Sequence, residues 1–255
     1  MNDCKARQFA LGRLQLMRHF LDNRTSQEGI MQARKALTHL ALIFGLLPAT
    51  TAVARPASEE PSTTEKLRLL AEFTDCVTAQ KSRQPAIQAF LRTIPDRPGF
   101  GEAGLKAADL TCLNRAAARM HSKIEMRLQP NSFRAALYPS LYRREFGKTG
   151  PVAGLKALPP LLLSDEFDGD AAELPGDFIA SRLFGDCVAR EDSADAHALL
   201  LAQPGSAEES AAIDALKPAF TACIKQGQTI SLTRAAARAT VGEGMLKLSR
   251  AAAAR

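Results

Sequence analysis

The sequence contains no tryptophan and only two tyrosines, so aromatic side chains make up 5% of its 255 residues. Runs of β-branched and aromatic residues are also scarce, which leaves little from which strands can be built. Hydrophobic residues nevertheless reach 46%, and most of them are alanine or leucine, which are strong helix formers. The composition therefore predicts an all-α protein.

A basic stretch that would suit nucleic acid is missing from the larger part of the chain. The formal net charge is +6, but residues 1–54 contribute +4 of it and residues 55–255 only +2. Affinity for nucleic acid depends on clustered lysine and arginine that neutralise phosphates. We therefore predict no nucleic-acid partner for residues 55–255.

The amino-terminal region has the pattern of a secretion signal. Arg34 and Lys35 precede an apolar run over residues 36–49, which is shorter than the ~20 residues of a comfortable membrane span. The small residues of Ala52-Val53-Ala54 then suit cleavage by a signal peptidase.

We accordingly predict a leader over residues 1–54, with translation starting at Met31, a signal peptide over 31–54 and a mature chain from Arg55. The alternatives are an amphipathic leader helix or an uncleaved anchor. Cleavage leaves a periplasmic or secreted protein without stable membrane insertion.

Removal of the leader takes away Cys4 and leaves an even set of four cysteines: Cys76, Cys112, Cys187 and Cys223. In an oxidising compartment such a set predicts disulfides, and four cysteines allow three pairings. The first two are 36 residues apart and so are the last two. The equal spacing favours the pairs Cys76–Cys112 and Cys187–Cys223.

Two other uses of the cysteines fit the sequence less well. Structural zinc normally takes ligands two to four positions apart, and no CxxC pair is present. A reactive thiol needs a pKa lowered by a neighbouring cation or a helix start, whereas Cys76 and Cys187 each follow an aspartate, which acts in the opposite direction. We predict neither a metal nor any other cofactor.

The sequence FTDCV at residues 73–77 returns as FGDCV 111 positions later. The same offset relates the second cysteines of the two pairs, and an offset of 104 relates Arg134 to Arg238. The change of seven residues equals about two helical turns, so it preserves the faces of a shortened helix. These matches predict an internal duplication: helical repeat 1 over 55–147, a Pro/Gly/Leu connector over 148–175 and helical repeat 2 over 176–255.

Each half is predicted to contain four helices and one disulfide. The sequences Ser62-x-x-Glu65 and Ser206-x-x-Glu209 are capping boxes that mark helix starts. The predicted helices start near Ser62 and Asp177, span about 84–93 and 194–203, include Cys112 and Cys223, and span about 131–146 and 231–250. Pro139 is expected to kink or shorten the helix that contains it.

Two polar pairs recur at the repeat offsets, namely Asp75 with Arg134 and Asp186 with Arg238. We predict an Asp–Arg contact in each half that ties its first helix to its last. The alternative is that both arginines line anion-binding pockets.

Other patterns are more consistent with structure than with chemistry. The GxGxxG sequence at 99–104 follows a turn-rich segment and not a strand, so we interpret it as a turn before a helix. The acidic segment 165–170 departs from the EF-hand spacing and is interpreted as a solvated turn with weak affinity for divalent cations. His121 and His197 share no catalytic spacing, and Tyr138 and Tyr142 have the spacing of core residues.

No catalytic motif is present, so the favoured function is non-catalytic, either binding or support of the cell envelope. Duplicated helical halves create a groove that suits a peptide or a small ligand. The competing class is an envelope enzyme with Arg134, His197 or Asp186 facing a cleft. A membrane-tethered partner protein is the third class, if the leader stays attached.

Overall fold

A computed structural model describes residues 62–119, 129–224 and 232–255. Within these ranges the chain is helical without a named strand, and the β-type pairing there is one isolated bridge between Thr93 and Asp168. The predicted all-α class is thus confirmed. The predictions for Met31, the signal peptide and His121 lie outside the described residues.

The α-helices of these ranges fall into two groups separated by a connector of short elements. They are α1 Thr63–Ala79, α2 Gln84–Arg92, α3 Phe100–Ala107, α4 Leu110–Arg119, α5 Pro130–Phe146, α6 Leu163–Glu166, α7 Gly176–Glu191, α8 Ser193–Leu201, α9 Ala207–Ala215, α10 Lys217–Cys223 and α11 Arg234–Ala253. Short 3₁₀ turns lie at Lys81–Arg83, Leu155–Ala157 and Ala171–Glu173. None of the helices in the described ranges combines the length and the apolar character needed to cross a membrane.

The prediction of four helices on each side of the connector is wrong, because each group contains five. The predicted third helix is divided into α3 and α4 in one group and into α9 and α10 in the other. Asp109 causes the first break, since its carboxylate accepts hydrogen bonds from Thr111 N and Oγ1 at 2.9 and 2.7 Å. Pro218 lies in the first turn of α10, where its missing N–H costs no helical hydrogen bond.

The first of the two predicted capping boxes forms completely, and the second forms only in part. Glu65 N donates to Ser62 Oγ and Ser62 N donates to Glu65 Oε2, so the first capping box is complete. Glu209 N likewise donates to Ser206 Oγ, but the Glu209 carboxylate accepts instead from Gly205 N at 2.7 Å. Helix α5 continues through Pro139, so the predicted shortening is absent.

Both groups of helices share one hydrophobic core. Helix α11 lies at its centre and packs most extensively against α7 and α5, while α1 packs against α5. The first group contributes a cluster of phenylalanine rings in which Phe133 lies 5.6 Å from Phe73 and 5.7 Å from Phe90. The segments on either side of the connector are therefore packed as one compact unit.

The two disulfides have the predicted pairing. Cys76–Cys112 joins α1 to α4 with Cα atoms 5.7 Å apart, and Cys187–Cys223 joins α7 to α10 with Cα atoms 5.8 Å apart. Each bond closes a loop within its own group of helices. The equal spacing of the cysteines thus indicated the correct one of three pairings.

Helices α7 and α11 approach each other closely where glycines leave room. A methyl group added at Gly185 would lie closer than 3.0 Å to the backbone carbonyl of Thr240, and one at Gly244 would do the same at the carbonyl of Gly185. Backbone atoms cannot move aside as a flexible side chain can. The packing of the central helix pair therefore depends on the absence of both side chains.

We expect Gly185→Ala to lower the free energy of unfolding by about 3 kcal/mol, because the new methyl group forces α7 away from α11. Gly176→Ala, on the same helix, is the control: its added methyl group meets nothing within 4 Å. Urea unfolding of both variants measures the difference. Equal stabilities for the two variants would contradict the close approach of these helices.

Candidate functional site

A cavity of 280 Å³ lies between α2, α5, α11 and the connector. The residues that line it are Gln88, Leu91 and Arg92 of α2, Tyr138 of α5, Leu161, Leu162, Asp165 and Glu166 of the connector, and Leu246, Lys247 and Arg250 of α11. The cavity thus draws its walls from both groups of helices and from the segment that joins them.

Aliphatic side chains form much of its wall. Leu91 and Leu246 are buried in the core, whereas Leu162 is 62% exposed and belongs to the rim. Four leucines face a space of this size together with the Tyr138 side chain. Apolar walls with a few polar groups are typical of small-ligand sites.

Glu166 and Lys247 of the lining belong to a buried ionic cluster, which also contains Arg182 and Glu243. Arg182 Nη2 donates to Glu166 Oε1 at 2.6 Å, and its Nε donates to Oε2 at 3.1 Å. Lys247 Nζ donates to Glu243 Oε1 at 2.5 Å and also to the Glu166 carboxylate. Charges withdrawn from water need such partners.

The acidic and basic side chains of the cluster stabilise each other's charged forms. Burial alone would lower the pKa of Lys247, but the neighbouring acidic groups Tyr138, Glu243 and Glu166 outweigh it and raise that pKa. Burial alone would raise the pKa of Glu243, but Lys247, Arg134 and Arg182 outweigh it and lower that pKa. Both side chains are therefore charged at neutral pH, and the Lys247 amine is not a nucleophile.

Two arginines lie at the rim of the cavity and are held by exposed or half-exposed acids. Arg92 Nε lies 2.7 Å from Asp168 Oδ1, and its Nη1 donates to the carbonyl of Asp165 at 3.1 Å. Arg250 makes two hydrogen bonds to the Glu145 carboxylate, at 2.8 and 2.7 Å. Pairs exposed to solvent contribute ~0–1 kcal/mol each, so a ligand can compete with them.

Arg134 lies beside the cavity and is directed to the end of a helix. Its guanidinium donates to the carbonyls of Leu91 and Thr93 at 2.9 and 2.8 Å, which are free because α2 ends there. It also donates to the Tyr138 hydroxyl at 3.0 Å and lies 5.2 and 5.1 Å from the ring centroids of Phe167 and Phe178. Its side chain caps α2 against aromatic rings.

Arg238 likewise caps the end of α8. It donates to the carbonyls of Leu199, Leu200 and Ala202 at 2.7, 3.1 and 2.5 Å, and pairs with Glu209 at 3.2 Å. Burial, together with the charge of Arg143, lowers the pKa of Arg238 to about 10 in spite of Glu209. The guanidinium still carries its charge at neutral pH.

The predicted Asp–Arg contacts are wrong in both groups. Asp75 accepts from Ser140 Oγ and Arg143 Nη2, each at 2.6 Å, and not from Arg134. Asp186 instead lies 2.6 Å from Arg190, one helical turn away on α7. The reason is that free carbonyls at helix ends attract the arginines of α5 and α11. The Asp186–Arg190 spacing of four was a visible signal that sequence reasoning missed.

We expect Arg134→Met and Arg238→Met each to lower the free energy of unfolding by about 1–3 kcal/mol, because each leaves buried helix-end carbonyls without a donor. Arg68→Met is a comparison that removes a half-buried arginine which donates to the carbonyl of Pro204, outside any helix end. Thermal and chemical unfolding measure all three. Wild-type stability of both buried variants would contradict the capping role.

The remaining candidates are buried residues, and of these Tyr138 lines the cavity. Tyr138 and Tyr142 are buried, which confirms core packing for both. Tyr142 Oη lies 2.8 Å from His197 Nδ1 within the core. Burial raises the pKa of Tyr142 to about 12 and lowers the pKa of His197. The fold therefore holds the imidazole neutral.

This burial predicts a pH dependence. Because the folded pKa of His197 lies below its ordinary value of 6.5, the unfolded chain takes up the proton first as the pH falls. This contribution to stability is fully present above pH ~6.5 and decreases as the pH falls below that value. His197→Gln should flatten that slope, whereas Tyr142→Phe, which keeps the imidazole buried, should retain it. Unfolding at several pH values measures both, and an unchanged slope in His197→Gln would contradict the assignment.

The GxGxxG sequence opens a helix, as interpreted, whereas the interpretation of segment 165–170 as a solvated turn is wrong at Glu166. Gly99, with φ of 87°, precedes α3 and follows no strand. In segment 165–170, Glu166 binds Arg182 and Lys247, Asp168 binds Arg92, and Asp170 caps the turn that follows. No group of three metal-ligating side chains is brought together in the described part of the chain. The role of Glu166 in the ionic cluster was missed.

Comparison with known proteins identifies no relative of the chain. No family model matches it, and no curated protein or solved structure matches it. The cavity, the ionic cluster beside it and the two disulfides are therefore the features on which a function can be based.

Proposed function

We propose that this chain is an exported, disulfide-linked binding protein made of two related helical halves, and that its ligand occupies the cavity between them. The halves are those predicted from the sequence, residues 55–147 and 176–255. The observation that carries the proposal is the position of the cavity, which takes walls from both halves and from the connector. Ligand sites occur preferentially at such junctions.

The two capping arginines support the duplication. Arg134 reaches the carbonyls of Leu91 and Thr93. Arg238, 104 positions later, reaches those of Leu200 and Ala202, which lie 109 positions after the first pair. Both arginines thus donate to carbonyls at the end of the second helix of their own half. The disulfides agree, because each joins the first helix of its half to the fourth over a separation of 36 residues.

Under the proposed duplication, two residues of the cavity lining correspond to aromatic residues of the first half. At the offset of 104, Leu246 corresponds to Tyr142 and Arg250 corresponds to Phe146. The Tyr142 ring packs 5.6 Å from Phe146 and 5.7 Å from His197. At these two positions the cavity is lined by a leucine and an arginine in place of aromatic rings, which favours a ligand there.

Most of the charged side chains that line the cavity are paired with one another or with neighbouring charges, which favours binding over catalysis. Arg92, Arg250 and the ionic-cluster residues Glu166 and Lys247 are all engaged in ion pairs. An envelope enzyme, the competing proposal, would need a titratable group whose protonation changes near neutral pH. The pKa of Lys247 is raised, so this side chain stays protonated near neutral pH.

Export is supported by the covalent chemistry. Two disulfides persist in oxidising compartments such as the periplasm or the extracellular space, and are rare in the cytosol. We therefore propose a periplasmic or secreted location after removal of residues 1–54.

Filling the cavity tests the proposal. We expect 1-octanol to raise the melting temperature of the wild type in a saturable way, because it binds the native state alone. Leu246→Phe should abolish this shift, since the larger phenylalanine ring occupies part of the cavity. Leu105→Phe, at a side chain that is 74% exposed, is the control and should respond as the wild type does. An equal shift in all three proteins would overturn the proposed ligand site.

A further inference from the structure

Hydrogen-bond donors and aliphatic side chains line the same cavity, and we infer that its ligand is a small aliphatic carboxylate. This inference rests on the proposed binding function and adds the class of ligand. The hydrocarbon chain would lie against Leu91, Leu161 and Leu246, and the carboxylate would face Lys247, Gln88 and Arg250.

Lys247 supplies the innermost donor. An ammonium carries three N–H groups, and two of those on Lys247 are directed to Glu166 and Glu243. The third has no oxygen partner among the described residues. Because Lys247 is nearly buried and lines the cavity, a carboxylate that reaches it exchanges water for a charge-assisted hydrogen bond.

Gln88 and Arg250 supply donors on the wall nearer to the solvent. Gln88 Oε1 accepts a long hydrogen bond of 3.4 Å from Arg250 Nη1, which fixes its oxygen toward the arginine. The Nε2 amide of Gln88 then has no acceptor within the described ranges. Arg250 has N–H groups beyond the three used on Glu145 and Gln88.

The acceptors of the cavity are either occupied or exposed, which decides against a cationic ligand. Both oxygens of Glu166 receive hydrogen bonds from Arg182, and Lys247 adds one more. Asp165 is the remaining carboxylate of the lining, and it is exposed to water at the rim. An ion pair there is screened by water and therefore weaker than hydrogen bonds to the half-buried donors.

The volume limits the length of the ligand. A space of 280 Å³ lies at the lower limit of the ~300–1,000 Å³ usual for ligand pockets. At ~30 Å³ for each water-sized group it holds about nine of them. An unbranched carboxylate of six to eight carbons matches that volume, whereas long-chain lipids exceed it.

Isothermal titration calorimetry of the full exported chain with octanoate, 1-octanol and octylammonium tests the class. We expect octanoate to bind at least about tenfold more tightly than the other two, since one charge-assisted hydrogen bond is worth ~1.5–3 kcal/mol. Gln88→Leu and Arg250→Met should each weaken octanoate about tenfold and leave 1-octanol unchanged. Both positions are partly exposed, and unfolding curves would verify that the variants fold.

The outcomes separate this inference from the proposed function. If 1-octanol or octylammonium binds as tightly as octanoate and Leu246→Phe blocks that binding, the ligand site stands and the carboxylate class is overturned. If Leu246→Phe leaves octanoate binding intact, or if none of the three probes binds, the ligand site itself is overturned. If octanoate is preferred, and that preference is lost in Gln88→Leu, in Arg250→Met and in Leu246→Phe, both the ligand site and the carboxylate class are supported.

Discussion

Arg182→Met should lower the free energy of unfolding by about 3–5 kcal/mol, one of the two largest effects we expect for this chain. The Arg182 side chain is 2% exposed and lies 2.6 Å from Glu166, 3.5 Å from Asp186 and 3.9 Å from Glu243. Methionine keeps much of the length but leaves buried carboxylates with Lys247 as their main remaining cation. Urea unfolding at neutral pH measures the loss.

A surface pair and a second substitution give the controls for Arg182→Met. Lys217→Met removes an ion pair to Asp214 in which the lysine is 68% exposed, and should change stability by less than ~0.5 kcal/mol. Adding Glu166→Gln to Arg182→Met should recover part of the loss, because it removes one of the carboxylates left without a partner. Equal effects at Arg182 and Lys217 would contradict a buried ionic cluster.

The second large effect is expected from the disulfides. Replacing Cys187 and Cys223 together by serine should cost roughly 3–4 kcal/mol, since the bond closes a loop whose ends are 36 residues apart. The corresponding double variant of Cys76 and Cys112 has the same loop length and should lose a similar amount. Chemical unfolding under oxidising conditions measures both variants against the wild type.

Reduction provides the control for the disulfide variants. Dithiothreitol should destabilise the wild type more than either double variant, because each variant has already lost one of the two bonds. A variant with wild-type stability would contradict the proposed contribution of its disulfide.

Local signals in the sequence predicted the parts of the fold that local chemistry determines. The capping box at Ser62 formed as predicted because its donors and acceptors lie three residues apart. The disulfide pairs were predictable because an equal spacing of 36 residues distinguished one pairing from the other two. The duplication that suggested this choice remains a proposal.

Long-range packing determines what the sequence did not reveal. The partners of Arg134 and Arg238 are backbone carbonyls, which leave no trace in side-chain patterns. Glu166 lies in a segment that resembled a solvated acidic turn, and it becomes buried only because Arg182 and Lys247 reach it from distant helices. The residues that line the cavity were missed for the same reason, because they come from four separate stretches of chain.

Disulfide mapping of the mature chain recovered from the periplasm, by mass spectrometry without reduction, tests the central claim most directly. We predict a protein that begins at Arg55 and yields two linked peptide pairs, one containing Cys76 and Cys112 and the other Cys187 and Cys223. Four free thiols, or a bond between Cys76 and Cys187, would contradict an exported protein whose halves are each closed by their own disulfide.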